Sequence, residues 1–369
     1  MNITQINSVF FNGDAVSTLA IQTHKMFNDM GYNSALVADL FSEIDEAEVL
    51  AFKDYDTSTV METIAYLTSR FLRLDNKTYY LKEYLKALVN YNKGKSRNLI
   101  ENADVRIWHF GAFYPTFQYF HEKDFLFYHG ITYPYLSNFT KFGLFSKNML
   151  QATLDMQPRV ITHSEFIKQS IMALGFPEHS IRKLPPFTNI NIPYQEHTHN
   201  KPKFVAYGRY SLNKQIPSMA KFCNESNIEF THFGDNMQTK EFKEQYKKAM
   251  QYASSKVRIL PKQPTIDKFL KVANIYVSAS LHEGFGRPII EAYAHSLPVI
   301  CKDGTAMSEI VKDGVTGYLF NHFDEIPALA DRIIHKYKEF SMAAYKESKK
   351  YSMAAYKEGL LNIINEKYK

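Results

Sequence analysis

The chain has 369 residues, 45% hydrophobic and 15% aromatic, with 44 Lys and Arg against 38 Asp and Glu for a formal charge of +6. That content excludes a disordered or fibrous class, and the length allows two domains, each with its own core. Only Cys223 and Cys301 are present, too few for a disulfide framework, so a reducing, cytoplasmic setting is expected.

The first residues, Met1-Asn2-Ile3-Thr4-Gln5-Ile6, carry no basic region, and Asn12 and Asp14 break the apolar run, so the start does not read as a signal peptide. No stretch approaches the ~18 apolar residues of a membrane span. Residues 3–10 predict a strand that leads into a turn at Gly13. The apolar positions Val16, Leu19, Ala20, Thr23, Phe27 and Met30 then follow a helical period, Gly31 ends the helix, and 34–38 predicts the next strand.

Residues 41–102 predict helices but no chemistry. Between positions 70 and 97, Arg70, Arg73, Lys77, Lys82, Lys86, Lys93, Lys95 and Arg97 face only Asp75 and Glu83, while Tyr80, Leu81, Tyr84, Leu85, Leu88 and Val89 recur at helical spacing. Such a basic amphipathic helix suits an anionic membrane surface. It equally suits a helix packed on its own domain with solvated lysines. No nucleic-acid motif accompanies the charge, so nucleic acid is not an expected partner. The Asp54-Tyr55-Asp56 triplet has no strand feeding it and is set aside as a metal site, and no metal is expected elsewhere.

Strands are predicted over 104–110 and 125–129. His129, at the end of the second, stands on the ligand-bearing edge of an open parallel sheet, and His109, near the end of the first, is the competing candidate. A further strand over 158–164 precedes a helix closed by Gly175. From Pro185 to Pro202 the chain turns polar and proline-bearing, which marks a linker. His197 and His199 within it lack a third ligand and read as part of an unstructured segment.

The second half repeats the alternation. The strand over 203–207 runs into Gly208-Arg209-Tyr210-Ser211-Leu212-Asn213-Lys214-Gln215, where one cation ends a strand and another opens a helix, an arrangement suited to a diphosphate whose charge grows as its sugar leaves. Strands over 228–234, 257–260 and 274–279 follow. The last runs into Glu283-Gly284-Phe285-Gly286-Arg287-Pro288-Ile289-Ile290-Glu291. Pro288 suits the first turn of a helix, so the free N–H groups of 284–287 and the positive helix end point above the sheet. Glu283 and Glu291 bracket that anion site with groups that accept hydroxyls, and a ligand with sugars on both sides of a phosphate is a nucleotide-sugar. The strand over 298–301, a loop over 302–307, a helix from there through Val311 and a turn and strand over 313–320 close this half. The run Ser341-Met342-Ala343-Ala344-Tyr345-Lys346-Glu347 recurs from Ser352 to Glu358, an eleven-residue period expected on one helix.

The Glu-Gly-Phe-Gly-x-Pro-x-x-Glu-Ala pattern, the Gly208-Arg209…Lys214 segment and the run over 313–320 resemble family 4 of the retaining GT-B glycosyltransferases. The usual Gly after the Lys is Gln215 here, and the first loop keeps one glycine, Gly13, where many relatives have two. The resemblance implies two doubly wound, Rossmann-like α/β domains facing across a cleft: an acceptor-side domain over 1–186, a linker over 187–202, a donor domain over 203–335, and terminal helices over 336–369 that cross back. It implies that Arg209 and Lys214 clamp the pyrophosphate, that Glu283 meets the donor sugar, that Glu291 holds the ribose, and that His129 meets the sugar through its carbonyl and ring. Gly208, Gly284, Phe285, Gly286 and Arg287 would line the donor, Gln263 and Pro264 would lie beside the base, and Gly13 would approach the phosphates or serve as a plain turn. The expected reaction is transfer of a hexose from a UDP- or GDP-sugar to a hydroxyl of a glycan or lipid-linked acceptor in bacterial surface polysaccharide synthesis, without cofactor or catalytic metal. A nucleotide-sugar 2-epimerase and a non-catalytic partner subunit of a glycosyltransferase complex share the fold and stand as alternatives.

Overall fold

The computed structural model describes residues 1–10, 15–42, 49–51, 95–109, 124–129, 151, 154–197, 200–235 and 239–366. The chain divides into two compact units, one of residues 1–163, 168–184 and 362–369, the other of 164–167 and 185–361.

Unit 1 is built on a parallel sheet of strands β1 (Asn2–Phe10), β2 (Asn33–Ser42), β3 (Val49–Ala51), β4 (Val105–His109), β5 (Phe125–Tyr128), β6 (Arg159–Thr162) and β7 (Ile181–Lys183), in the order β3-β2-β1-β4-β5-β6-β7. β1 pairs with both β2 and β4, so the winding reverses direction at the β1/β4 junction. β4 and β5 are buried at every position, as expected of parallel strands covered on both faces. Arg106 is tolerated in β4 because its Nε donates to Asp124 Oδ1 at 2.7 Å and its Nη1 to Ile100 O at 2.9 Å, while Trp108 Nε1 donates to Asp124 Oδ2 at 3.0 Å. The ion pair and the helix Lys95–Glu101 are thereby tied to the sheet.

One expectation changes here. The segment over 41–102, read as helical, contains the end of β2 and the edge strand β3. Strand spacing was invisible because β3 is only three residues long. Gly13, the triplet 54–56 and the basic stretch 70–94 lie outside the described residues. Among the described residues, no helix is long and apolar enough to cross a membrane.

Unit 2 carries strands β8 (Lys203–Tyr207), β9 (Glu229–Gly234), β10 (Val257–Pro261), β11 (Ile275–Ser278), β12 (Val299–Lys302) and β13 (Gly317–Phe320), in the order β10-β9-β8-β11-β12-β13. All pairings are parallel, and the winding reverses between β8 and β11. The core lies on both faces of this sheet. Phe204, Phe230, Val257, Ile259, Ile275 and Val277 fill one face, and Val205, Phe233, Tyr276, Val299, Ile289 and Ile290 the other. Gly234 has no substitute, because a Cβ there would lie 1.7 Å from the Gly208 carbonyl oxygen.

The described residues of the linker over 187–202 form no helix or strand, yet they are not loose. Phe187 is fully buried, Thr188 N donates to Tyr351 O at 3.0 Å, and Gln195 N donates to Ser296 Oγ at 3.0 Å. His197, expected in an unstructured segment, is buried with its Nε2 3.0 Å from His295 O, and burial lowers its pKa. In place of the loop over 302–307 and the helix expected after it through Val311, the chain forms a short 3-10 turn, Ala306–Glu309. The repeated heptads occupy two helices, Tyr337–Ser348 and Met353–Asn365, parted by a 3-10 turn at Lys349–Tyr351 rather than sharing one helix. The final residues of the second belong to unit 1, where Glu366 and Arg182 form a two-contact ion pair at 2.6 and 2.7 Å.

Candidate functional site

In open doubly wound sheets, ligands bind outside the carboxyl ends of the strands where the winding reverses. In unit 2 that place is the gap between the ends of β8 and β11, and the sequence delivers Gly208-Arg209 to one side and the Glu283 loop to the other. Gly208 takes φ +140°, and a Cβ there would meet Lys214 Cε at 3.6 Å. The glycine therefore lets the chain leave β8 in a left-handed conformation and leaves room for the lysine.

Lys214 ends a 3-10 turn, Leu212–Lys214, and its Nζ donates to Glu283 Oε1, with both side chains less than one-fifth exposed. Arg209 is exposed, its guanidinium carbon 5.9 Å from the centre of the Phe242 ring, with no carboxylate partner among the described residues. Gln215 sits at φ 52°, ψ 32°, and caps the helix Ile216–Glu225. The position requires a left-handed residue, which is the physical reason a glycine suits it.

On the other side, Gly286 caps the helix Arg287–Ala294 at φ 106°, with Pro288 in its first turn. A Cβ on Gly286 would press on Met307 Cγ at 3.1 Å. Phe285 and Gly286 are buried, while Glu283, Gly284, Arg287 and Glu291 are half-buried. The N–H groups of the first helical turn and the helix dipole favour an anion at this end. Ser164, one of the four residues of 164–167 that group with this unit, donates from Oγ to Gly284 O at 2.8 Å.

Glu291 lies one turn into the helix. Its Oε2 accepts a short hydrogen bond from the Tyr207 hydroxyl, and its Oε1 is 3.7 Å from Arg287 Nη2. Burial raises its pKa, against the opposing pull of Arg287 and the Tyr207 hydrogen bond. Behind the site His232 is fully buried, and burial, then the charge of Lys214, push its pKa down to about 3. It therefore adds no third cation beneath the phosphate position.

Gly208, Arg209, Lys214, Glu283, Gly284, Phe285, Gly286, Arg287 and Glu291 thus stand at one switch point. Gln263 and Pro264 follow β10 on the same carboxyl edge, two strands from β8, and Gln263 Nε2 donates to Pro261 O at 3.1 Å. Two residues escaped sequence reasoning. Asn213 grips the backbone of the facing loop, donating from Nδ2 to His282 O at 2.7 Å, accepting from His282 N at 2.8 Å, and accepting at its carbonyl from Leu281 N at 2.9 Å. It seats Glu283 beside Lys214. An Asn in a polar turn is the ordinary turn signal and gives no hint of that reach. Tyr207, the second, reads in sequence as one more aromatic in a strand.

His129 belongs to unit 1, at the end of β5. Its Nε2 is 2.6 Å from His109 Nδ1 and its Nδ1 is 2.8 Å from His163 Nε2. The three histidines end β4, β5 and β6, the line continues from His163 Nδ1 to Leu184 O at 3.0 Å, and His109 Nε2 lies 3.3 Å from Gln5 Oε1, a contact of two acceptors once the protons run toward Leu184. Leu184 O can only accept, so His163 donates from Nδ1, which makes its Nε2 an acceptor for His129 and His129 Nε2 an acceptor for His109. Both ring nitrogens of His129 are therefore spent within the protein. A sugar could use its ring only by breaking one of these bonds, which leaves the main-chain carbonyl for the role expected of it. Burial, then the neighbouring rings, hold His109 and His129 far below the ordinary histidine range, His109 at about 3.

Residues 202–339 match the family model described as glycosyl transferases group 1. This stretch is a glycosyl transferases group 1 domain. The group 1 domain contains β8 to β13 and the residues gathered at their switch point. A stretch of 209 residues is 28% identical to a protein described as a probable sucrose-phosphate synthase from Thermosipho melanesiensis, covering 50% of this chain and 46% of that protein. The chain thus matches about half the length of this curated relative. Among solved structures, TarM superimposes with a TM-score of 0.73 at 14% identity, covering 99% of each chain. Anabaena Alr3699/HepE, solved in complex with UDP and glucose, gives 0.69 at 15% identity with all of both chains covered. The lipopolysaccharide outer core galactosyltransferase WaaB gives 0.68 at 15% identity, covering 99% of each chain. At these identities the likeness is one of fold, and the group 1 domain with its doubly wound companion has the two-domain α/β GT-B architecture.

Proposed function

We propose that the chain is a retaining glycosyltransferase that moves a hexose from a UDP- or GDP-sugar to a hydroxyl of a glycan or lipid-linked acceptor. The observation that carries this reading is the convergence, at one switch point of the group 1 domain, of two cations and a helix N-terminus with a carboxylate on each side. Arg209, Lys214 and the N–H groups at 286–287 neutralise a departing diphosphate. Glu291 accepts from ribose hydroxyls, and Glu283 accepts from hydroxyls of the transferred sugar. Because Lys214 and Glu283 hold each other in the empty site, donor binding exchanges partners: the lysine turns to phosphate and the carboxylate to the sugar.

In the reaction the bond between the sugar anomeric carbon and the phosphate oxygen breaks, and a bond from that carbon to the acceptor oxygen forms. The acceptor proton passes to the leaving phosphate on the same face, which preserves anomeric configuration. Glu283 is paired with Lys214 and assigned to the sugar hydroxyls, and the described site residues offer no Ser, Cys or further carboxylate at the sugar side, which favours this front-face path over a covalent intermediate. Charge neutralisation is assigned to side chains and amides, so no divalent metal or cofactor is required in this scheme. The acceptor in bacterial surface polysaccharide synthesis, a cytoplasmic setting and a peripheral membrane contact through residues 70–97 belong to the same reading. Their support is the fold shared with proteins such as the lipopolysaccharide galactosyltransferase.

The test is incubation with UDP-glucose, UDP-galactose, UDP-N-acetylglucosamine and GDP-mannose, with and without EDTA, following release of UDP or GDP. Slow hydrolysis of at least one donor, unchanged by EDTA, is expected. Conversion of a donor into an epimerised sugar nucleotide would instead identify an epimerase, and neither release nor binding of any donor would leave the non-catalytic reading.

A further inference from the structure

Tyr207 ends β8 and is held on two sides by rings. It stacks on Phe233 at 5.3 Å between centroids and 12° between planes, and meets Tyr276 edge-on at 5.7 Å and 73°. A phenol so confined has one heading, and that heading ends on Glu291 Oε2, with Pro288 O 3.4 Å away as a weaker second acceptor. Its partner is a carboxylate only 18% exposed, whose other oxygen faces Arg287. No chemistry expected at the site calls for a phenol here.

We propose that Tyr207 is a positioning residue that keeps Glu291 ionised and aimed at the ribose, and that it thereby sets the preference of the donor site for ribonucleotides over 2′-deoxyribonucleotides. The inference rests on the nucleotide-sugar reading above. An ionised carboxylate has about four acceptor positions. Tyr207 claims one on Oε2, while Arg287, 3.7 Å from Oε1 and beyond hydrogen-bond reach, attracts that oxygen by charge alone, which orients the group and leaves positions on both oxygens for the two neighbouring hydroxyls of a ribose. Without the phenol, the carboxylate is free to rotate onto Arg287 or to take up a proton, since burial already favours its neutral form. Either change removes an acceptor from the ribose and blurs the distinction between a ring with a 2′-hydroxyl and one without.

The groups facing Glu291 are few. They are the Arg287 guanidinium and the Tyr207 and Tyr276 phenols, and the phenols are pushed well above their ordinary value, first by burial and then by the carboxylates around them. Between pH 5 and 8 the group facing the ribose whose titration Tyr207 controls is therefore Glu291 itself.

The experiment measures binding of UDP, GDP and their 2′-deoxy counterparts by calorimetry from pH 5 to pH 8, for the full chain, Tyr207→Phe and Glu291→Gln. The wild-type protein is expected to prefer the ribonucleotide by about tenfold or more, the weight of one hydrogen bond to a charged group. Tyr207→Phe should bring that preference within about threefold and move the acid limb of binding up by about one pH unit. Glu291→Gln should lose the part of the acid limb that Tyr207→Phe moves, leaving only the titration of the nucleotide's own terminal phosphate, which is the same for all three proteins. A Phe variant with the wild-type ratio and pH profile would overturn the assignment while leaving the nucleotide-sugar reading intact. Failure of the wild-type chain to bind either UDP or GDP would overturn both. Should Tyr207→Phe not fold, Tyr207→Leu also lacks the hydroxyl and carries the same measurement. If neither folds, the residue belongs to the frame of the sheet and the assignment falls.

Discussion

The two sheets share a strand order and a switch point, yet their carboxyl edges carry opposite chemistry. Among the described residues of unit 1 the polar groups at the strand ends are turned on one another: His109, His129 and His163 bond in a line that ends on Leu184 O, and burial keeps His109 and His129 uncharged. In unit 2 the polar groups are charged and only loosely committed. Arg209 is exposed, Lys214 and Glu283 pair with each other, and a helix N-terminus opens beside them. A doubly wound sheet thus supplies a place for a ligand, but whether an edge is a site depends on whether its side chains satisfy themselves.

The comparison can be broken or sharpened by substitution. The largest effect is expected where unit 1 is self-satisfied. Asp124→Ala leaves the Arg106 guanidinium buried without its carboxylate and should cost about 3–5 kcal/mol in denaturant unfolding. In unit 2 the corresponding losses should fall on activity. Arg209→Ala and Glu283→Ala are expected to lower turnover by about 10² or more with unfolding midpoints close to wild type. Near-normal transfer by both variants, or a collapse of folding in both, would remove the distinction between the edges.

Smaller effects follow from protonation. The His109 value of about 3 lies below the ordinary 6.5, so the unfolded chain binds the proton first. Its contribution to stability is complete above pH 6.5 and is lost as pH falls from there toward 3. Replacing His109 with Leu should flatten stability across that window, measured by urea midpoints at successive pH values. Glu291 has the opposite sign: burial raises its value above the ordinary 4.5, so the empty protein is penalised as pH rises past 4.5. Glu291→Gln should therefore melt higher than wild type at pH 7, with the gap closing near pH 4, even as nucleotide binding suffers. A site that holds a charge for a ligand costs the empty fold stability.

The smallest expected change is at Gln215. Its left-handed backbone costs a side-chain-bearing residue about 1 kcal/mol, offset in part by the greater chain entropy of glycine. Gln215→Gly should leave thermal stability equal or raise it by up to about 1 kcal/mol. A clear loss would mean that the glutamine side chain makes a contribution of its own.

Much of this was legible in the residues. Pro288 at a helix start, glycines at 208 and 286, and cations and acids at fixed spacing around them are local signals, and the structure places them where strand-loop-helix geometry requires. Asn213 was not legible, because its reach to His282 spans 69 positions of sequence. Nor was the line of histidines, since His109 and His163 lie 20 and 34 positions from His129 and become neighbours only when β4, β5 and β6 pair.

The repeated heptads make the same point at smaller scale. Ser341 in the first copy is buried and donates to Ser296 O at 2.7 Å, while Ser352 in the second accepts from Ala355 N at 3.2 Å at the start of its helix. Identical residues took different work because their surroundings differ. Sequence alone determined the alternation of strands and helices, the reversal that makes a ligand edge and the charged groups delivered to it, all of which depend on residues close together in the chain. Tertiary structure alone decided which polar groups neutralise one another, because the free energy of a buried charge or ring nitrogen is set by whatever distant segment packs against it.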